Sequence, residues 1–293
     1  MAIPGPMKEL SRRRRLSYVY FPLLLGGFLL LGGCRWTIGV VQNMRLRSLD
    51  ADIRKSSKEI EAARDDKARA TAYSKRGVAY SEKARYGRAF KIIPTPEYER
   101  LFDLAIKDHD QAVALNPGSA EAYFNRGQAY YDRAWLDLQV HSDPKTWFDH
   151  ASANFEMATE KDASNFMAFD MLGLATEQNG EWDQAIRAYT QERALNRLGK
   201  VRLADVYCAR GQERHRQKNY DGAAADYQKS IEIGASPDDG CTCEPYNSLL
   251  AIYDTQTKQY DKAWELVHQA QRSNRKIDVE LVDHLKKDSG RND

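Results

Sequence analysis

Two residue types in this 293-residue sequence are suited to metal, redox or acid–base chemistry: four cysteines and six histidines. Cys34 stands alone near the N-terminus, whereas Cys208, Cys241 and Cys243 lie in the second half of the chain. Structural zinc sites usually have two to four residues between paired cysteines. A single residue separates Cys241 from Cys243, and no histidine lies nearby with a clear spacing. We therefore predict no metal site at these thiols.

The histidines are scattered along the chain, at His109, His141, His150, His215, His268 and His284. They form no His-Glu-x-x-His metal motif. The sequence also lacks a Gly-x-Ser-x-Gly nucleophile elbow, a phosphate-binding loop and a dinucleotide fingerprint. These observations predict a chain without catalytic activity, without a cofactor and without a bound metal. A redox protein that uses the three later cysteines is the alternative from the enzyme class.

The N-terminus has the pattern of an export signal. Four arginines, Arg12 to Arg15, precede an apolar run over residues 16–33, which ends Leu-Gly-Gly-Cys. The ending resembles the lipobox of bacterial lipoproteins, and this resemblance implies lipid attachment at Cys34. An uncleaved transmembrane anchor is the alternative, although the run is at the short end of the ~20 residues that span a bilayer. Both interpretations place the rest of the chain outside the cytoplasmic membrane, in the bacterial cell envelope.

The formal net charge of +2 is unevenly distributed. Residues 1–34 contain five basic residues and one acidic residue, so the remainder of the chain is slightly acidic. No basic field for nucleic acid is left once these residues are set aside. We therefore expect a protein or peptide partner and no nucleic-acid partner.

Two series of residues recur along the chain. The first is an aromatic residue, Asp, any residue and Ala, and we predict that each copy begins a helix. Its copies start at Phe102, Phe148, Trp182, Tyr220 and Tyr260. The second is a small residue preceded by Arg or Leu, at Gly77, Gly127, Gly173, Gly211 and Ala251.

The intervals between the two series define a period. In the last three copies the small residue precedes the alanine by twelve residues, and Ala105 and Ala151 precede the next glycine by twenty-two. Together these intervals give 34 residues, the period of the tetratricopeptide repeat. The chain resembles that family, which implies an all-α superhelix of about five helix-turn-helix repeats. Since one repeat cannot bury its own apolar face, several must stack.

We divide the chain accordingly into four parts. Residues 1–34 are the signal or anchor, and residues 35–69 a stalk or linker helix. The five repeats occupy residues 70–271, and a capping helix and tail occupy residues 272–293.

The first two repeats carry insertions between helix A and helix B. We expect helix A to extend into each insertion and to break at the prolines. Either the two insertions pack on each other, or Phe90 and Trp135 belong to an apolar patch that binds a partner.

Three repeats have arginine where the family more often has leucine, at Arg76, Arg126 and Arg210. We expect their stems to pack and their guanidinium groups to reach water or a carboxylate. The third repeat has Glu192 where the family has a small residue late in helix B. Cys208 falls on helix A of the fourth repeat and the other two thiols lead into the fifth. A disulfide from Cys208 to Cys241 or Cys243 is therefore possible, leaving one thiol over.

The resemblance implies a binding groove lined by the first helix of each repeat. The residues expected to face it are Asn125, Gln128, Tyr131, Asp132, Asp170, Glu177, Gln212 and His215. Because several of them are acidic, we expect a neutral or basic segment of a partner protein. The predicted function is a membrane-tethered, non-catalytic scaffold of the cell envelope, and the alternative outside the enzyme class is a structural lipoprotein spacer.

Overall fold

The computed structural model describes residues 34–138, 143–196, 199–234 and 243–291. The predicted leader at residues 1–33 and Cys241 lie outside these ranges. All regular structure in the described ranges is helical. None of the helices described there is both long enough and apolar enough to span a membrane. The chain divides into two units after Ser48, and residues 49–291 belong to the unit described below.

The helices follow one another in antiparallel succession, as short connections require. They are α1 (Cys34–Ala62), α2 (Asp66–Ala89), α3 (Thr95–Leu115), α4 (Ala120–Asp137), α5 (Lys145–Lys161), α6 (Phe166–Gln178), α7 (Trp182–Leu195), α8 (Gly199–Arg216), α9 (Tyr220–Ile233), α10 (Pro245–Ala251), α11 (Tyr260–Arg272) and α12 (Val279–Ser289). A π-helical turn over Ile252–Gln256 continues α10.

Helices α2 to α11 form five pairs, which we call repeats 1 to 5, each with a helix A and a helix B. Every helix in this series contacts its neighbours in sequence. The A helices α2, α4 and α6 also contact one another in order. We call the surface formed by the row of A helices the helix-A face.

Polar caps fix where several of these helices begin. The side chains of Asp65, Ser119, Asn165 and Asn219 each accept a hydrogen bond from the backbone N–H three residues later. Such a cap satisfies a backbone donor that the first turn would otherwise leave free. The starts of these four helices are therefore determined by residues next to them in the sequence.

A glycine on helix A meets a ring on helix B in each of the first four repeats. A methyl group added at Gly173 would lie 2.4 Å from the ring of Tyr189. The same contact joins Gly77 to His109, Gly127 to Phe155 and Gly211 to Tyr227. Glycine is needed because no larger side chain leaves room for the ring.

The ring in repeat 1 is a histidine, and its burial has an electrostatic consequence. His109 is 1% exposed. Burial, together with the positive charge of Arg126, lowers the pKa of His109 from 6.5 to about 4. The imidazole is therefore neutral at pH 7 and acts as a packing ring in the place of Phe155 and the two tyrosines.

The three arginines that precede glycine are ion-paired or hydrogen-bonded to helix B, which confirms the expectation for their guanidinium groups. Arg76 donates to both oxygens of Asp108 at 2.7 and 2.8 Å, and Arg210 donates to both oxygens of Asp226 at 2.9 and 2.6 Å. Arg126 donates to the side-chain oxygen of Asn154 at 2.7 Å. Two parallel bonds from one guanidinium make a strong, directional pair.

Each of these guanidinium groups also stacks on the tyrosine three residues before it. The distances to the ring centroids are 5.5, 5.5 and 5.4 Å at Tyr73, Tyr123 and Tyr207. Where helix A has leucine instead, helix B has an apolar partner in the same cluster: Leu172 with Ala188, and Leu250 with Leu266. The two positions therefore change together from repeat to repeat.

The first two repeats accommodate their insertions by lengthening their helices. Helix α3 begins at Thr95, well before Phe102, and α5 begins at Lys145, before Phe148. The prediction that the aromatic residue begins each helix is therefore wrong in these repeats. Prolines fix the earlier starts, since Pro96 lies in the first turn of α3 and Pro144 caps α5.

The apolar residues of the two insertions share one cluster. Ile93, Phe102 and Leu136 pack together, and Ile93 lies so close to Gly87 that a methyl group there would be 2.2 Å from it. Phe90 remains 38% exposed. The contacts support the alternative in which the insertions pack on each other.

The second half of α1 packs as part of the repeats. Arg126 and Arg210 each reach back to an acid on the preceding helix B, Asp110 and Asp183. Arg76 reaches back in the same way to Ser57 of α1, at 3.1 Å. Residues 49–62 thus take the place of a helix B before repeat 1, and the predicted linker at residues 35–69 is correspondingly shorter.

The last helix covers repeat 5. Leu285 of α12 is fully buried in a cluster with Trp264 and Val267, and Ile277 and Leu281 pack against the same cluster. Solenoids need such a terminal helix to cover the apolar face of the last repeat.

Candidate functional site

The predicted binding residues on α4 connect helix A of repeat 2 to helix A of repeat 1. The side-chain amide of Asn125 donates to Ser74 Oγ at 3.1 Å. Asp132 accepts from Arg85 at 3.1 Å. The two residues therefore contribute to the contact between repeats as well as to the helix-A face, while Gln128, between them, is half-buried.

The carboxylates predicted for the groove are compensated by arginines of neighbouring A helices. Burial raises the pKa of Asp132, and the charges of Arg85 and Arg88 oppose that shift. Asp170 on α6 pairs with Arg202 on α8. The prediction of an acidic groove does not hold at these two positions, because each negative charge already has a basic partner within the chain.

The remaining predicted residues are divided between packing and surface positions. Tyr131 packs edge-on against the rings of Trp135 and Phe148, and burial raises its pKa. Glu177 accepts a hydrogen bond from the Tyr189 hydroxyl at 3.0 Å. On α8, Gln212 is exposed and His215 packs on Tyr220 with ring centroids 5.5 Å apart. Only part of the predicted set is therefore free to meet a ligand.

The described residues contain a cleft of about 420 Å³ at the N-terminal end of the helix-A face. It is bounded by α1, by α2 and by the end of α3 with the start of α4. Its walls include Asp52, Lys55, Glu59, Thr71, Ser74, Lys75, Val78, Glu82, Asn116, Ser119 and Glu121. Sequence reasoning missed it because it treated α1 as a stalk, so that no wall was expected on that side.

Polar groups of both signs line the cleft. Lys75 and Glu59 face each other across it, with Nζ 3.0 Å from Oε2. Ser74 is engaged by Asn125 at the boundary with repeat 2, and Val78 adds an apolar surface. Such a mixture offers hydrogen bonds to a peptide backbone and to polar side chains, rather than a continuous apolar trough for an amphipathic helix.

A buried carboxylic acid lies beside the Asp170–Arg202 pair. Glu192 of α7 is 2% exposed, and its Oε2 has no hydrogen-bond partner among the described residues. Burial, reinforced by the negative charge of Asp170, raises the pKa of Glu192 from 4.5 to about 8. The group is therefore mostly protonated at pH 7, although the same residue is ionised in the unfolded chain.

We expect Glu192→Gln to remove a pH dependence of stability. Because the folded state holds a proton that the unfolded state has lost, wild-type stability is full below pH 4.5 and falls as the pH rises to about 8. The variant should be more stable than wild type by about 2 kcal/mol above pH 8, after allowance for relaxation toward water. Urea unfolding from pH 5 to 9 measures the difference, with the exposed Glu160→Gln as the control. Equal slopes for wild type and Glu192→Gln would show that Glu192 titrates normally.

A disulfide joins Cys208 to Cys243, with the Cα atoms 6.3 Å apart. Cys208 is buried in the core of repeats 4 and 5, and Cys243 packs against the same cluster. The bond closes a segment with a sequence separation of 35 residues and connects helix A of repeat 4 to the start of repeat 5.

Residues 102–132 match the family model described as TPR repeat. A comparison with curated protein sequences finds no match.

Solved structures similar to this chain include MamA, at 22% identity over 61% of this chain and 98% of that chain, with a TM-score of 0.36. A second is YrrB, described as a TPR protein with an unusual peptide-binding site, at 17% identity over 72% and 92% with a TM-score of 0.37. A third is TTC0263, a thermophilic TPR protein of Thermus thermophilus, at 19% identity over 66% and 95% with a TM-score of 0.36.

The family match begins at Phe102 within helix B of repeat 1 and includes most of helix A of repeat 2. In each of repeats 1 to 4, a glycine of helix A meets a ring of helix B at equivalent positions. Residues 102–132 thus match a tetratricopeptide repeat, within a series of helix pairs that pack in the same way.

Proposed function

We propose that this protein is a non-catalytic adaptor that holds a segment of another protein against its helix-A face, with the cleft beside α1 as the main contact. The proposal rests on the cleft. Its polar side chains can bond to the backbone of a peptide, and it lies on the helix-A face of repeats 1 and 2. Tetratricopeptide repeats serve as protein-interaction scaffolds, and repeat proteins bind through extended surfaces of this type.

We place the adaptor at the bacterial cell envelope, tethered through its N-terminus, with the repeats outside the cytoplasm. Two observations support this part of the proposal. The arginines at 12–15 followed by an apolar run have the pattern of an export signal or anchor. The Cys208–Cys243 disulfide suits an oxidising compartment, because cytosolic thiols are kept reduced.

The polarity of the cleft defines the kind of segment expected. Glu59 and Lys75 form an ion pair in which the lysine side chain remains 57% exposed. An extended, polar segment can exchange hydrogen bonds with such groups, and its charges can be of either sign. The expectation of a neutral or basic segment is replaced by that of a polar, extended one.

Obstruction of the cleft tests the proposal. Val78→Trp places a bulky ring in the cleft wall, and Val279→Trp makes the same substitution on α12, where the valine is 70% exposed. Circular dichroism should show both variants folded. Cross-linked co-purification from membranes should recover a stoichiometric partner with wild type and with Val279→Trp, but not with Val78→Trp.

The other outcomes decide against the proposal. A partner retained equally by both variants would place binding elsewhere on the chain. Absence of any stoichiometric partner from intact membranes would favour a structural spacer. Recovery of the wild-type chain in the soluble cytoplasmic fraction would reject the envelope location. The scaffold function would still be decided by co-purification with Val78→Trp and Val279→Trp.

A further inference from the structure

The junction between repeat 5 and the capping helix α12 contains a group of ligand-type side chains that the proposed function does not use. Asp254 lies on the π-helical turn after α10 and is 1% exposed. Its Oδ2 lies 2.6 Å from Nδ1 of His284, on α12. A π-helical turn is a common place for functional residues, because it displaces side chains from the regular helical positions.

A third ligand-type residue lies on the same face of α12. Asp288 follows His284 by four residues, the spacing that places two side chains one above the other on a helix. Its Oδ2 is 3.9 Å from Nδ1 of His284. One oxygen or nitrogen from each of the three residues lies within 4.8 Å of the other two. Only small side-chain movements are needed for all three residues to bond to one metal ion at about 2.0–2.2 Å.

The buried carboxylate is incompletely satisfied by the protein. His284 engages Oδ2 of Asp254, but Oδ1 is buried without a hydrogen-bond partner among the described residues. An unpartnered oxygen on a buried carboxylate is costly, and such oxygens in native proteins are usually bonded to a donor, a water molecule or an ion. A cation held by this carboxylate would compensate the burial of both oxygens.

The donor set indicates which class of cation fits. One imidazole nitrogen with two carboxylates suits zinc and the other divalent transition metals, whereas calcium and magnesium prefer oxygen ligands alone. His284 and Asp288 are partly exposed, at 49% and 34% of their side chains. The group is therefore open to solvent on one side, which gives an ion an entry path and room for water ligands.

We propose that Asp254, His284 and Asp288 bind a divalent transition metal ion of the zinc class, and that the ion fastens α12 to repeat 5. On binding, the metal takes the place of the proton between Asp254 Oδ2 and His284 Nδ1. His284 then binds as a neutral imidazole with its one proton on Nε2, and a protonated His284 releases its second proton to solvent. Since α12 covers the apolar face of the last repeat, the site stabilises the C-terminal end of the array.

The test uses the full-length protein, stripped of metal with EDTA and dialysed. Thermal unfolding is measured during titration with zinc chloride, and isothermal calorimetry gives the stoichiometry. The wild type should show a saturable rise in Tm at one zinc per chain, growing with the logarithm of zinc concentration above the Kd. His284→Ala and Asp288→Asn should lose that rise while retaining the same helical content without metal.

A neighbouring acid supplies the matched control. Asp283 lies on the same helix, is 62% exposed and pairs with Lys286. Asp283→Asn should therefore keep the zinc response of the wild type. The proposal is overturned if zinc, manganese, cobalt and nickel all leave the Tm of the wild type unchanged. It is equally overturned if His284→Ala and Asp288→Asn respond as the wild type does, since the metal would then bind elsewhere, at an adventitious site.

Discussion

Asp226→Ala is expected to lower the free energy of unfolding by about 3 kcal/mol, because it leaves two guanidinium groups without their shared carboxylate. Asp226 is 2% exposed and accepts hydrogen bonds from Arg210 and from Arg214. Arg214 is 31% exposed and can turn toward water, whereas Arg210 is 16% exposed and stacks on Tyr207. Because Arg214 can be solvated, the expected loss is at the low end of the range for a broken buried ion pair. Urea unfolding at neutral pH measures the loss.

The chain itself supplies the control for this prediction. Repeat 5 has Leu250 and Leu266 at the two positions where repeat 4 has Arg210 and Asp226. The double variant Arg210→Leu/Asp226→Leu should therefore regain most of the lost stability, since replacement of both partners by apolar residues removes the buried charge. A double variant as unstable as the sum of its single variants would show that the pair is not an interchangeable unit.

The helix pairs were predictable because their signal lies within one repeat. A small residue on helix A and a ring on helix B must meet, as Gly173 and Tyr189 do, so their interval in sequence is fixed by the helical hairpin. The kind of partner that the arginines have was also predictable, because a guanidinium in a core requires a carboxylate or water. The identity of that carboxylate followed only from the structure, which pairs Arg76 with Asp108.

The helix boundaries in repeats 1 and 2 and the site were harder to predict. The insertions lengthen helix B as well as helix A, and the position of Pro96 signals the earlier start of α3. Contacts between repeats have no fixed interval in sequence. Asp170 of α6, for example, pairs with Arg202 near the start of α8, before the residues of repeat 4 that follow the repeating pattern. The second half of α1 lacks the glycine and alanine pattern altogether, although Ser57 takes the place of an acid on a preceding helix B.

The second large effect is expected at the disulfide. Cys208→Ala should lower the free energy of unfolding by about 3 kcal/mol, chiefly because the unfolded chain is no longer cross-linked across 35 residues. A smaller part comes from lost packing, since Cys208 is 1% exposed. The loss should be concentrated in repeat 5 and α12, which the bond ties to repeat 4. Amide hydrogen exchange should show faster opening of residues 243–291, while repeats 1 to 3 keep their protection.

Reduction supplies the control, because it breaks the same bond without changing a side chain. Dithiothreitol should destabilise the wild type by nearly as much as Cys208→Ala does, and it should leave the stability of Cys208→Ala unchanged. A wild type that is insensitive to dithiothreitol would show that the thiols are not bonded in the purified protein. In that case the faster exchange in Cys208→Ala could only reflect packing, and the two cysteines would no longer support an oxidising compartment for the repeats.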